Sequence, residues 1–295
     1  MDARSSWGGL DDGVFEPDFD RAALAVMCAH PRFREVAEGI SGGMLAMAMG
    51  LDDVDRRMLK DIGRTTLYLL VLMAEPVFPA LTVRDLCEFG VAVGAGSRGR
   101  VRAYMDYGLA HGRFELEPGE QPWTQRRLVV RPAFRRPVVD ALIGVMERAG
   151  SAAPSLVAAA DRLRAGLGIG AAIVGLQQLW ISSAGLGVPR LPEIEFFLAR
   201  DGAMTLLNDL SLRQDGGRAA LLTAAPLRRR ETAARIGISR GHLDRILKDA
   251  AAAGLLVVGD GEVAFAPALS EAFALWSAIQ LQALRRIAEA VLAAG

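Results

Sequence analysis

The residues that most resemble a chemical site are the glycines in "VAVGAGSRGRVRAYMDYGLAHGRFELE", Val91 to Glu117. A strand-like Val91-Ala92-Val93 runs into Gly94-x-Gly96-x-x-Gly99, and Gly112, Glu115 and Glu117 follow a helical stretch. In a dinucleotide-binding turn, glycines let the backbone close on a pyrophosphate and a later acid holds the ribose hydroxyls. That chemistry also needs a buried strand before the turn and a surrounding alternation of strands and helices. Here the preceding "LTVRDLCEFG" reads as a short helix, so a nucleotide-binding enzyme using Gly94–Gly99 ranks last among the functions weighed.

Other reactive groups are sparse. Cys28 and Cys87 have no CxxC or Cys/His spacing, and His30, His111 and His242 are scattered. No Ser/His/Asp, Cys/His or paired-carboxylate arrangement stands out. The expectation is a protein that is not an enzyme, with no metal and no cofactor, in the reducing cytoplasm. The stretch Leu167–Pro189 is uncharged and long enough to span a bilayer. Gln177, Gln178, Ser182, Ser183, many glycines and a closing proline make it a buried helix followed by a loop, with no membrane contact.

The elements that would carry function follow from composition and patterning. The 295 residues carry no net charge, few aromatics and little β-branched alternation, which predicts a mostly α protein. Residues 1–19, acidic and glycine-rich, read as a flexible tail. The remainder repeats itself. "SRGRVRAYMDYGLAHGRF" (Ser97–Phe114) lies over "SRGHLDRILKDAAAAGLL" (Ser239–Leu256) without a gap. Upstream, "LKDIGRTTLYLL" from Leu59 matches "LARDGAMTLLND" from Leu198; downstream, "RPAF" (131–134) matches "APAL" (266–269). Two units are expected, 20–150 and 151–295. The second keeps Ser-Arg-Gly but replaces "GVAVGAG" with Gly237-Ile238, so the glycine fingerprint belongs to one loop and not to the unit.

In the second unit a short helix, Glu231–Ile236, is amphipathic through Ala233, Ala234 and Ile236, and Gly237 ends it. Ser239 caps the next helix, whose buried stripe is Leu243, Ile246, Leu247 and Ala250. Gly254 stops it, and "LLVV", Gly259-Asp260-Gly261 and "EVAFAP" predict a hairpin.

Residues Glu231–Leu256 resemble winged helix-turn-helix transcription regulators of the MarR type, and Thr124–Phe134, "TQRRLVVRPAF", is similar to their arginine-bearing wing. Together the resembling pieces cover about half the chain. The resemblance implies a mostly α fold with small β-hairpin wings. Tandem winged helix-turn-helix units would sit on a helical scaffold as a covalent pseudo-dimer. It also implies a DNA-binding transcriptional regulator whose partner is double-stranded DNA, with a small-molecule effector and further homodimerisation both open. Such regulators place two recognition helices on successive major-groove turns. The segments Gly42–Gly50 and Gly168–Trp180, the latter with Gln177, Gln178 and Trp180, are candidate effector-pocket walls, although core packing explains them too. The alternative is a winged-helix protein-interaction module without specific DNA binding.

Zero net charge counts against nucleic acid, but the positive residues cluster. The candidate DNA-binding set is Ser97, Arg98, Arg100, Arg102, Arg126, Arg127 and Arg131 in the first unit, and Ser239, Arg240, His242, Arg245 and Lys248 in the second. Arginines at a recognition-helix start fork onto guanine edges or grip phosphates. Arg126 and Arg127 on the first wing would reach a minor groove or backbone. Asp244 would repel phosphate unless it accepts from a cytosine amine or orients Arg240 or Lys248.

Overall fold

A computed structural model describes residues 21–74, 76–150, 153–181, 191–214 and 220–294, with side chains throughout except at 21 and 177–181. The acidic tail, residues 1–19, and the pocket-wall candidates Gln177, Gln178 and Trp180 lie outside this description. The described residues are mostly helical with two small antiparallel sheets.

The order of elements in the second half repeats that of the first. Helices α1 (Arg21–Cys28), α2 (Phe33–Gly50), α3 (Asp53–Met58), α4 (Ile62–Leu72), α5 (Val83–Ala92) and α6 (Arg98–Ala110) lead into strands β1 (Phe114–Leu116) and β2 (Leu128–Val130), then α7 (Pro132–Ala149). The matching run is α8 (Pro154–Arg164), α9 (Ile169–Ile181), α10 (Pro192–Leu198) and α11 (Ala203–Ser211). It continues with β3 (Ala224–Pro226), α12 (Arg229–Arg235), α13 (Arg240–Ala252), β4 (Leu256–Val258), β5 (Glu262–Phe265) and α14 (Pro267–Ala293). The hairpins have the same register, Phe114 opposite Val130 and Leu256 opposite Phe265. Strand β3 adds a third strand beside β5, and in the first half a single bridge, Thr82 to Arg127, lies at the corresponding place.

Local chemistry accounts for the boundaries. Asp52, Asp61 and Thr82 accept backbone N–H groups at the starts of α3, α4 and α5, and Thr82 with Asp85 closes a capping box. Pro132 and Pro267 open α7 and α14 at the position where a missing N–H costs nothing. The short helix of the second unit starts at Arg229, two residues earlier than its apolar pattern suggests. Its buried residues are Thr232 and Ala233, while Ala234 is exposed.

Packing partners repeat as well. Helix α2 packs on α7, and α9 on α14, within each half; α2 also packs on α11, and α9 on α4, across the halves. Helix α1 lies against α14, and α8 against α7. Consequently each core draws on both halves. The first contains Leu156, Ala159, Ala160 and Leu163 from α8 and Leu281, Leu284 and Ile287 from α14. The second contains Leu24 from α1 and Phe33 and Ala37 from α2. No helix among the described residues is long and apolar enough to cross a membrane.

The α2–α7 crossing depends on two glycines. A Cβ on Gly39 would stand 2.4 Å from the Arg148 carbonyl oxygen, and one on Gly43 2.5 Å from Val145 Cγ2. Gly43, within the segment named as a pocket wall, is therefore spent on helix packing. Gly43→Val should lower stability by about 1–3 kcal/mol through overpacking, read as a lower urea midpoint at unchanged slope. An unchanged midpoint would show that the helices are not in backbone contact.

Candidate nucleic-acid interface

Helices α5 and α6, and α12 and α13, meet at tight turns built alike. Gly94 and Gly237 have φ of 73° in both cases, the left-handed conformation that L side chains resist. Ala95 N–H bonds to the Gly90 carbonyl and Gly94 N–H to Val91; Ile238 N–H bonds to Ala233 and Gly237 N–H to Ala234. This paired pattern satisfies the last carbonyls of each helix. The residue after each glycine packs on a second glycine. A Cβ on Gly63 would lie 2.3 Å from the Ala95 carbonyl oxygen, and one on Gly202 2.8 Å from Ile238 Cγ2. Gly94 is thus a helix stop. Val91 and Ala92 belong to α5, so no strand leads into the Gly94–Gly99 turn.

Helices α6 and α13 are capped by serine. Ser97 Oγ accepts the Arg100 N–H at 3.3 Å and Ser239 Oγ that of His242 at 3.2 Å. Their inward stripes are Val101, Tyr104, Met105 and Gly108 in one, and Leu243, Ile246, Leu247 and Ala250 in the other. The volumes compensate. Gly108 makes room for the ring of Phe114, whereas Ala250 in the second copy accompanies the smaller Leu256.

The outward faces differ in how their cations are used. In the first unit Arg98 stands 3.9 Å from Glu88, Arg100 pairs with Asp61, and the Arg102 guanidinium lies 4.8 Å from the centre of the Trp123 ring. Trp123 sits in a 3-10 turn, Trp123–Gln125, packed on α5, so the long first hairpin loop folds back over the helices. Arg126 is spent inside that loop, donating from Nε to the Gln121 carbonyl at 2.9 Å, and Arg131 pairs with Glu115. The side chain of Arg127 is exposed with no partner among the described residues.

In the second unit Arg245 and Lys248 are exposed and have no side-chain partner among the described residues. Arg240 lies 3.9 Å from Asp244, and Arg229 of α12 reaches the same carboxylate at 3.1 Å. Asp244 is therefore neutralised by two arginines. His242, expected to project outward, is half-buried, and its Nε2 lies 2.9 Å from the Asp201 carbonyl oxygen. It ties the start of α13 to the α10–α11 turn, whose Asp201 carboxylate pairs with Lys60 of the first unit at 3.4 Å. Sequence reasoning left two exposed cations out of the candidate set, Arg84 and Arg230, which are also without partners among the described residues. Both lie on the helix that precedes each turn, and proximity to the Ser-Arg-Gly helices in sequence is the signal that would have found them.

Behind these surfaces each half buries a carboxylate with arginine. In the first, Arg113, 14% exposed, pairs with Asp52 and stands 3.0 Å from Asp55 Oδ1, whose side chain is 6% exposed. Burial, the dominant cause, raises the Asp55 carboxyl above its usual value, and the Arg113 hydrogen bond lowers that of Asp52. In the second, Asp209 is clasped by Arg213 and by Arg235 of α12, and Arg213 donates to Thr232 at 3.1 Å. These clusters fix α3 to the first hairpin and α11 to α12.

Among the described residues no group of His, Cys, Asp and Glu has the arrangement of a metal site. Burial pushes the Cys28 and Cys87 thiols up, away from the thiolate form that nucleophilic chemistry uses. An open cleft of about 570 Å³ lies between the α1–α2 turn and α14, lined by Cys28, His30, Arg34, Ser270 and Glu271. No protein-family model, curated protein or solved structure matches this chain.

Proposed function

We propose that the chain is a DNA-binding transcriptional regulator made of two winged helix-turn-helix units, similar to the MarR type, joined as a covalent pseudo-dimer. The observation that carries the reading is the repeated turn, with Ala95 on Gly63 and Ile238 on Gly202, presenting two serine-capped helices whose outer faces bear arginine. In the second unit Arg245, Lys248 and Arg230 supply uncommitted positive charge, which phosphate contacts require even in a neutral protein. Because the outward residues of α6 and α13 differ, the two half-sites differ in sequence and the operator is not a palindrome. The scaffold cleft at His30 and Arg34 is the place for an effector of small size.

A protein-interaction module is the second reading. It is favoured by the first unit, where Glu88, Asp61 and Trp123 already engage Arg98, Arg100 and Arg102. Fluorescence anisotropy with random-sequence duplex DNA separates the two. A regulator binds at low salt with an affinity that falls steeply as salt rises. Absence of binding at low salt leaves the interaction module.

A further inference from the structure

The two outward faces share one residue that nothing inside the molecule requires. Gly99 and Gly241 are the second residues of α6 and α13, and each follows the arginine of Ser-Arg-Gly. Neither has a positive φ. A Cβ on Gly241 would meet nothing within 4 Å, and one on Gly99 only the Ser97 hydroxyl, at 4.0 Å. The contrast with the other glycines is sharp. Gly63 and Gly202 are compelled by the turn residue that packs on them, Gly94 and Gly237 by φ, and Gly108 by Phe114.

Glycine in a helix loses more conformational entropy than alanine, so its presence is a cost unless something else compensates. Here the cost occurs twice, at matching positions in two units whose neighbouring residues have diverged. At the position three residues on, Arg102 in one copy stands where the other has Asp244, and next to it Ala103 stands where the other has Arg245. Internal packing and backbone conformation both fail to account for the two glycines, and the remaining physical reason for a missing side chain is close approach of another molecule.

We infer that Gly99 and Gly241 are the points at which one DNA duplex is pressed against the protein, one per unit and both at once. This rests on the proposed regulator reading and deepens it. The absent Cβ lets the first turn of each helix sit against the duplex. Arg98 and Arg240 then flank the contact in both units, and Arg245 and Lys248 lie one to two turns further along α13.

The test uses the full chain carrying Gly99→Ala or Gly241→Ala, with Gly50→Ala at the far end of α2 as a control, since a Cβ there also meets nothing. The probe is a labelled random-sequence duplex of about 30 base pairs, long enough for two half-sites one helical turn apart. Each of the two variants should bind about tenfold more weakly, a factor worth about 1.4 kcal/mol. Their melting temperatures should be unchanged or up to about 3 °C higher, and Gly50→Ala should bind like the parent. Unchanged affinity in both variants, with the parent binding DNA, overturns the inference and leaves the regulator standing. An effect from one glycine alone overturns simultaneous contact. A lowered melting temperature shows an internal role and overturns it too, and a parent that does not bind at all removes the regulator reading with it.

Discussion

Arg113→Met is expected to cost the fold about 3–5 kcal/mol, the range seen when one partner of a buried ion pair is removed. The substitution keeps much of the aliphatic volume but leaves Asp55 as a carboxylate 6% exposed with no counter-charge. It also releases Asp52 and, through it, the link between α3 and the start of β1. The pH dependence has a definite sign. Burial already raises the Asp55 carboxyl, so its contribution to stability is present at low pH and is lost as pH rises through its folded value. Asp52, lowered by the Arg113 hydrogen bond, contributes the opposite way, with stability lost as pH falls. Without Arg113 the Asp52 contribution disappears and the penalty at Asp55 grows. The difference between variant and parent should therefore be largest near pH 7 and shrink toward pH 4, when Asp55 protonates. Asp55→Asn in the Arg113→Met background should recover part of the loss. Urea unfolding at the two pH values reads all of this, and a pH-independent difference would mean that Arg113 acts by packing alone.

Charge reversal on α13 should have the largest effect on nucleic acid. Arg245 and Lys248 are exposed and uncommitted, so no internal pair is broken when both are replaced by glutamate. The double variant should fold like the parent and lose DNA affinity on the order of 100-fold near 0.1 M salt, with alanine at both sites reducing the salt slope by about 2. The matching change in the first unit, Arg98→Glu with Arg102→Glu, should be milder, because Glu88 and Trp123 already engage those side chains. Equal losses from both units would show that the partners of Arg98 and Arg102 release them on binding.

Much of the fold was legible because its local rules are strong. Ser97 and Ser239 cap, Gly94 and Gly237 stop helices, and Leu243, Ile246, Leu247 and Ala250 share a face, all readable from type and spacing. What escaped depends on contacts distant in sequence. The apolar residues of α1 and α2 are the right composition for a core, but nothing in their pattern says that Leu24, Phe33 and Ala37 belong to the core of the other half. Ala234 fits a helical stripe yet is exposed, because α12 is only two turns long and Thr232 and Ala233 suffice to anchor it.

The candidate site was legible as a surface and less so as a set of free charges. Periodicity put His242 outward, but a tether to Asp201, forty-one residues away, turns it onto the α10–α11 turn. The arginines of α6 appear equivalent in sequence, and only their neighbours in space, Asp61 and Trp123 among them, distinguish them from Arg245 and Lys248. Asp244, which looked like an obstacle to phosphate, is balanced by Arg229 and Arg240. Gly99 was read only as part of a phosphate fingerprint; its meaning depends on the empty space above it.

The central claim, that two unlike units read one DNA duplex, is tested most directly by incubating the protein with fragments of its own genome and sequencing what it retains at low and moderate salt. The account predicts enrichment of a motif with two different half-sites spaced by about one helical turn, roughly 10 base pairs, retained at moderate salt and lost in the Arg245→Glu, Lys248→Glu variant. Recovery spread evenly over the genome that vanishes with salt, or no recovery at all, would contradict it.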